Sequence, residues 1–141
     1  MLFEKINKVS RDIVFVYTTC SGMEEARSIG LSAIKNKLAI SADYWPVNSV
    51  YPWKGVIQEI DQYMTMFATQ KDLSEELIKH IEENHSYSIP MIIRTETSLT
   101  NKPYSFWVED NLLSSEKYIT EEEERMIKKH KSGEFEQEKL K

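Results

Sequence analysis

Residues 49–70 read SVYPWKGVIQEIDQYMTMFATQ, and this stretch decides the fold. Lys54 and Gly55 separate two runs rich in apolar and aromatic side chains, and a Lys-Gly pair in that position indicates a tight turn. From Tyr63 to Ala68, successive side chains alternate between two faces, which is the period of a β-strand. The stretch is therefore predicted to form one long β-hairpin that turns at Lys54 and Gly55.

A strand and a helix are predicted before the hairpin. Residues 12–19, DIVFVYTT, are mostly β-branched or aromatic and contain neither Gly nor Pro, which predicts a buried strand. The helix that follows has Ser21 as its predicted N-cap, with Glu24 completing a capping box. Residues 38–53 then read as extended chain, in which two prolines favour a bend or a position at a sheet edge. The apolar positions of the helix recur at helical spacing and are Ala26, Ile29, Gly30, Ala33 and Ile34.

A second helix, a fourth strand and a short third helix are predicted after the hairpin. Asp72 is the predicted N-cap of the second helix, and Glu75 completes its capping box. The fourth strand is predicted over residues 91–97, and Pro103 stands at a favoured early position of the third helix. The order β-α-β-β-α-β predicts an α+β fold, a ferredoxin-like split β-α-β sandwich followed by a C-terminal helix.

The chain changes character after Leu113. Residues 114–141 contain eight Glu and seven Lys or Arg, with few large apolar side chains. We therefore assign one domain to residues 1–113 and a charged extension to residues 114–141. A helix capped by Thr120 is predicted in the extension, because the acidic residues come first and the basic residues last. About the last eight residues are expected to lack regular structure.

Composition excludes several classes of function. The net charge of -5 disfavours a surface for the phosphate backbone of nucleic acids. The N-terminus resembles no signal peptide, and no apolar run is long enough to cross a membrane, so a cytoplasmic protein is expected. Cys20 is the single cysteine, which rules out a disulfide within the chain. No nucleophile elbow, P-loop or dinucleotide fingerprint is present, and we expect no enzymatic activity.

Five segments resemble, in order and spacing, those of the CutA (divalent-ion tolerance) family. The first is the strand, polar loop and helix start IVFVYTTCSGMEEA, and the second is KNKLAISA, which contains a Leu-Ala pair. The aromatic hairpin SVYPWKGVIQE is followed by NHSYSIPMI, of the His-x-Tyr-x-x-Pro type, and by NKPYSFW at the start of the third helix. Each segment alone is weak evidence, but five in the right order are a specific signal.

The resemblance implies a PII-like homotrimer in which the long hairpins pack edge to edge across subunits. A trimer also has a physical rationale, because a long hairpin rich in aromatic residues would promote aggregation if it stayed exposed. Aromatic side chains concentrate in the cores of protein interfaces. The residues expected at the interface and in the cleft between subunits are Tyr51, Trp53, Tyr63, Tyr87 and Trp107.

The resemblance further implies a link to tolerance of divalent metal ions, copper in particular. The candidate ligands are His85, Glu59, Asp61 and Cys20, since copper prefers thiolate and imidazole donors and the two acids match an acidic stretch in the family. Each has a second interpretation. The histidine would order the turn before Pro90, the acids would be solvated groups on a strand edge, and the cysteine would be a small, partly buried apolar residue.

The chain departs from the family pattern at three positions. Ser41 stands where the family commonly carries a cysteine, and Ser86 stands where a proline usually follows the histidine. Met91 replaces the acid that is usual after the next proline. The fold prediction does not depend on these positions, whereas a metal site of the family type does.

Two other functions remain open at this stage. In the first, a PII-like signalling or scaffold trimer binds a small anionic metabolite or a protein partner in the clefts between subunits, without a metal ion. The bases expected to bind such an anion are Lys54, Lys71 and Arg94. In the second, the trimer is purely structural and has no small ligand.

Overall fold

The predicted order of strands and helices is confirmed in the computed structural model, which describes residues 12–139. It contains, in chain order, β1 (Ile13–Cys20), α1 (Met23–Lys35), β2 (Ser41–Trp53), β3 (Val56–Gln70), a 3-10 turn (Lys71–Leu73), α2 (Ser74–Asn84), β4 (Ile92–Glu96), α3 (Lys102–Leu113) and α4 (Glu121–Lys139). The four strands form one sheet in the order β2-β3-β1-β4, with every neighbouring pair antiparallel. This is the predicted ferredoxin-like arrangement, with β2 and β4 at its edges.

One face of the sheet is covered by α1 and α2. Side chains alternate along a strand, so Val16 and Cys20 of β1 point to the same face as Phe67 of β3, which lies opposite Val16 in the register. Close contact between α1 and β2 depends on Gly30, because a Cβ at this position would lie 3.0 Å from the Cβ of Ala42. The fully enclosed core consists of Val16, Cys20, Ala26, Ile29, Ala33, Ala39, Phe67, Leu77 and Ile81.

The other face of the sheet is covered only at the end remote from the hairpin turn. There Val108 and Leu112 of α3 pack with Ile13 at the start of β1. Further along, Trp45 is 40% exposed and Ile93 is 51% exposed. We call this surface, which includes Phe15, Tyr17, Trp45, Met64 and Ile93, the open face. Trp45 and Ile93 are among the large apolar side chains that this face leaves exposed.

The hairpin forms as predicted. Its first strand also takes in part of the extended chain that was predicted before residue 49. Strand β2 runs without a break from Ser41 to Trp53, and Trp53 pairs with Val56 across the turn. Lys54 has φ 51° and Gly55 has φ 79°, the pair of positive values that defines a type I′ turn. Pro46 and Pro52 lie within β2, and they are accommodated because this strand is at the edge of the sheet.

Both predicted capping boxes of the first two helices are wrong in detail. Helix α1 begins at Met23 after the extended residue Gly22, and the partner of Ser21 is Glu25 rather than Glu24. Helix α2 begins at Ser74 rather than directly after Asp72, because a 3-10 turn occupies residues 71–73. At α1 an acid one position further along the chain takes the bond from Ser21, whereas the N-cap residue of α2, Leu73, makes no side-chain capping bond.

The charged extension contacts the body of the protein. Thr120 caps α4 as predicted, since the N–H of Glu123 donates to its Oγ1 over 3.1 Å. The Glu123 carboxylate also pairs with Lys35 at the end of α1, over 2.5 Å, and lies 3.2 Å from the Thr120 hydroxyl. The ring of Tyr118 lies 3.6 Å from the ammonium group of Lys37. Helix α4 extends to Lys139, so the expectation that about the last eight residues lack regular structure is wrong for residues 134–139, while residues 140 and 141 lie outside the described residues.

Candidate metal site and adjoining groove

Three potential metal ligands meet where β1 ends. Cys20 is the last residue of β1, Glu25 lies in the first turn of α1, and His85 directly follows α2. One ligand atom from each residue lies within 4.8 Å of those of the other two. A thiol, a carboxylate and an imidazole therefore converge, and we refer to them as the Cys20–Glu25–His85 cluster.

His85 is held by hydrogen bonds through both ring nitrogens. Its Nδ1 accepts the backbone N–H of Tyr87 over 3.1 Å, so that nitrogen carries no proton. Its Nε2 then carries the proton and donates to the carbonyl oxygen of Thr19 over 2.9 Å, with the Thr18 hydroxyl 3.1 Å away. The imidazole thus joins β1 to the loop that precedes β4. This is the structural role that was the second interpretation of His85.

Glu25 joins the same loop to α1. Its Oε1 accepts the backbone N–H of Ser21 over 3.0 Å and the Ser21 hydroxyl over 3.3 Å. Its Oε2 accepts the backbone N–H of Ser86 over 3.1 Å. Partial burial alone would raise the pKa of Glu25, but the hydrogen bonds from Ser86 and Ser21 outweigh it and lower the pKa below its ordinary value. The carboxylate is therefore ionised at neutral pH.

Cys20 supplies a buried thiol. Its side chain is fully enclosed, and the hydroxyl of Thr65 donates to its Sγ over 3.6 Å. Burial raises the pKa of Cys20, the hydrogen bond from Thr65 lowers it in part, and the nearby Glu25 carboxylate raises it further. Cys20 is consequently a protonated thiol, and a metal ion would have to displace that proton in order to bind the sulfur.

The structure brings together two of the four predicted ligands. Glu59 and Asp61 lie on β3 within the exposed hairpin, and Asp61 accepts a hydrogen bond from Asn48 on β2. Glu25 was not among the predicted ligands. The sequence signal that could have identified it is an acid four residues after Ser21, in the first turn of a helix that directly follows the strand ending in Cys20.

A groove of about 660 Å³ lies beside the cluster on the open face. Its walls are the hairpin and the segment from Ser86 to Met91, which we call the 86–91 loop. The Tyr87 hydroxyl closes one side by donating to Oε1 of Gln62 over 2.9 Å. Among the described residues thirteen line this groove, and none of them is charged. Three of the residues predicted at the subunit cleft contribute to it, namely Tyr51, Trp53 and Tyr87.

The other two predicted interface residues lie elsewhere. Tyr63 on β3 packs against Tyr44 on the face that bears α1 and α2, with ring centroids 6.5 Å apart. Trp107 on α3 stacks on Tyr104 at 5.9 Å and is 51% exposed. The five aromatic residues therefore belong to three separate surfaces of one chain.

Of the three bases proposed to bind an anion, two lie together on an acid and the third lies apart. Lys71 and Arg94 both pair with Glu96, at 3.2 Å and 3.1 Å respectively. Lys54 lies in the hairpin turn, where its ammonium group is 5.9 Å from the ring of Trp53. A strand of the length of β3, on the order of 50 Å at about 3.3 Å per residue, separates Lys54 from Lys71.

No helix among residues 12–139 is long and apolar enough to cross a membrane.

The family model described as CutA1 divalent ion tolerance protein matches residues 14–111. The divalent-cation tolerance protein CutA of Pyrococcus horikoshii is 32% identical over 96 residues, which cover 68% of this chain and 94% of that protein. The crystal structure of CutA1 from Ehrlichia chaffeensis superposes with a TM-score of 0.71 at 28% identity and covers 73% of this chain and 97% of that one. CutA1 from Pyrococcus horikoshii superposes with a TM-score of 0.68 at 31% identity, covering 70% and 96%. The chain therefore belongs to the CutA1 divalent ion tolerance family.

Proposed function

We propose that the protein is a divalent-cation tolerance protein that binds a transition metal ion through the Cys20–Glu25–His85 cluster and works as a homotrimer. The convergence of three different ligand atoms within 4.8 Å is the observation that carries the proposal. Its relatives in Pyrococcus horikoshii and Thermococcus kodakarensis are divalent-cation tolerance proteins, which agrees with a role in metal handling. A reducing compartment such as the cytoplasm would keep the single cysteine available as a ligand.

The donor set fits copper or zinc better than magnesium or calcium. Thiolate and imidazole are preferred by copper and zinc, whereas magnesium and calcium take ligand sets made of oxygen atoms. Cys20, Glu25 and His85 would hold the ion, which would act as a Lewis acid toward a further ligand if its coordination were incomplete. Binding requires that the Cys20 thiol give up its proton, so we expect uptake of metal to release protons to the solvent.

Metal titration tests this site. We expect Cu²⁺ and Zn²⁺ to bind at one ion per chain, and Mg²⁺ not to compete at similar concentrations. His85→Gln, Glu25→Gln and Cys20→Ser should each weaken binding by about tenfold or more, because each removes a direct ligand. Glu59→Gln is the matched control, since it removes an exposed acid outside the cluster. Equal affinity in the wild type and in all three cluster variants, measured by calorimetry and native mass spectrometry, would remove the cluster as the metal site.

The exposed apolar surfaces support the homotrimer. Trp45 and Trp53 are 40% and 43% exposed, and Ile57 at the far end of the hairpin is 73% exposed. Apolar surface of this extent on a hairpin that also has a free edge usually indicates contact with another chain. We infer that three chains cover one another's open faces and hairpins in a closed ring, which leaves no edge free for further growth.

Sedimentation equilibrium tests the assembly. We expect a mass three times the 16.6 kDa of one chain, independent of added metal at micromolar protein concentration. A monomeric mass would contradict the trimer without affecting the proposal for the metal site. The anion-binding alternative has less support, because Lys71 and Arg94 are both paired with Glu96, Lys54 lies apart from them in the hairpin turn, and the groove has no charged lining among the described residues.

A further inference from the structure

The same side chains that would bind a metal ion also hold the 86–91 loop in place. His85 accepts the N–H of Tyr87, and Glu25 accepts the N–H of Ser86. Both donors belong to the segment that forms one wall of the groove. The cluster and the groove are therefore connected by two hydrogen bonds whose acceptors are candidate ligands.

The imidazole of His85 cannot keep its hydrogen bond from Tyr87 while it binds a metal ion. A neutral imidazole has one nitrogen that carries a proton and one nitrogen with a free lone pair. In this protein the lone pair of Nδ1 is already used by the N–H of Tyr87. If a metal ion binds Nδ1, it takes that lone pair directly. If it binds Nε2, the proton must move to Nδ1, which then can no longer accept. Coordination through either nitrogen therefore breaks the bond to Tyr87.

We propose that metal capture by His85 releases the 86–91 loop, so that a bound cation and the closed wall of the groove compete for the same imidazole. This inference rests on the proposed metal site and adds to it a means of regulation. The movement would be transmitted to the groove through Tyr87, whose hydroxyl donates to Gln62 on the hairpin. Metal binding at the partly buried cluster thereby changes the open face, where the trimer contacts are proposed.

The second connection, the hydrogen bond between Glu25 and the 86–91 loop, depends on the residue at position 86. The resemblance to the CutA family implies a proline after the histidine, and a proline has no N–H to donate to Glu25. The serine in this chain therefore supplies an additional bond that holds the loop closed. His85 has φ -83° and ψ 141°, a conformation that also suits the residue before a proline. Ser86→Pro is thus a compatible variant that removes this bond, and Ser86→Ala is its matched control, because it keeps the N–H.

Amide hydrogen exchange with Zn²⁺ as the probe tests the coupling. Zn²⁺ is used because it has no redox chemistry. In the full-length protein we expect the amide of Tyr87 to exchange at least about tenfold faster when Zn²⁺ is bound, because it loses its acceptor. The fluorescence of Trp53, isolated by Trp45→Phe and Trp107→Phe, should change in the same titration, since Trp53 lines the groove. Native mass spectrometry of the same samples records whether Zn²⁺ is bound.

The outcomes separate the two proposals. Bound Zn²⁺ with unchanged or slower exchange at Tyr87 would overturn the coupling and leave the metal site intact. Absence of bound Zn²⁺ would overturn the metal site and the coupling with it. As a second measurement, Ser86→Pro should bind Zn²⁺ about fivefold more tightly than Ser86→Ala, since one bond fewer opposes release of the loop. Equal affinities of the two variants would show that the Glu25–Ser86 bond plays no part.

Discussion

The two halves of strand β3 lie in opposite environments. From Thr65 to Gln70 the side chains on both faces are largely enclosed, by α1 and α2 on one side and by α3 on the other. From Val56 to Asp61 the same strand runs through the hairpin, where most side chains are exposed. The difference indicates that the two halves of one strand have different roles. Residues 65–70 stabilise the fold of a single chain, and residues 56–61 belong to the surface proposed to contact other chains.

The largest effect that tests this comparison is expected from Phe67→Ala. Phe67 is fully buried between the sheet and the helices, so its truncation leaves a cavity and should lower the free energy of unfolding by about 3–5 kcal/mol. Glu59→Ala in the exposed half is the control and should cost less than about 1 kcal/mol, because it truncates an exposed charged side chain. Urea denaturation at one fixed protein concentration measures both. Similar losses of unfolding free energy in the two variants would contradict the different roles of the two halves.

A smaller effect, on assembly, is expected from Trp53→Ala. An aromatic residue in an interface core typically contributes about 2 kcal/mol, which is on the order of a 30-fold change in the association constant. The far-UV circular dichroism should stay unchanged, because Trp53 lies outside the enclosed core. Met126→Ala, which truncates a 65% exposed side chain on α4, serves as the control. If sedimentation shows equal association for both variants, the hairpin is not the assembly surface.

The turn of the hairpin offers a more modest test. Gly55 has φ 79°, a conformation that strains any side chain, so Gly55→Ala should lower the free energy of unfolding by about 1 kcal/mol. Lys54 also has a positive φ, and Lys54→Gly should therefore be tolerated or slightly stabilising. Thermal denaturation of the two variants distinguishes strain in the turn from a general loss of hairpin contacts, which would make both changes unfavourable.

The smallest expected effect is the pH dependence of the stability that Glu25 contributes by holding the 86–91 loop. The pKa of Glu25 is lower in the folded protein than its ordinary value of 4.5. Its contribution to stability is therefore fully present above pH 4.5 and is lost as the pH falls through the lowered pKa. The stability difference between wild type and Glu25→Gln should be constant between pH 5.5 and 7 and should shrink below about pH 4.5. A difference that grows on acidification would contradict this assignment.

The features that could be predicted from the sequence are those that depend on residues close together in the chain. The hairpin follows from the Lys54-Gly55 turn and the alternation after it, and the order of strands and helices follows from local patterns. The position of Cys20 beside His85 depends on β1 and α2 being brought together across 65 residues, and no local pattern records that distance. The same holds for Glu25 and Ser86, where the carboxylate at the start of α1 accepts the backbone N–H of a distant loop.

The extension illustrates the same limit. Its capping residue Thr120 was predictable, because a capping box is encoded within four residues. The pairs that attach it to the body, Lys35 with Glu123 and Lys37 with Tyr118, join charged and aromatic groups far apart in the chain. Charges of both signs are abundant in residues 114–141, so composition alone does not select the pair that forms.

The two prolines of β2 have a consequence for how far the sheet can grow. Pro46 and Pro52 are six residues apart, so their ring nitrogens point to the same side of the strand, which must be the outer edge if pairing with β3 is to continue. The outer edge therefore lacks a hydrogen-bond donor at two places. A short segment of another chain can pair with the stretch between them, but a long fibril-like ladder is interrupted at both. The protein can thus expose a long aromatic hairpin during synthesis with a built-in limit on polymerisation.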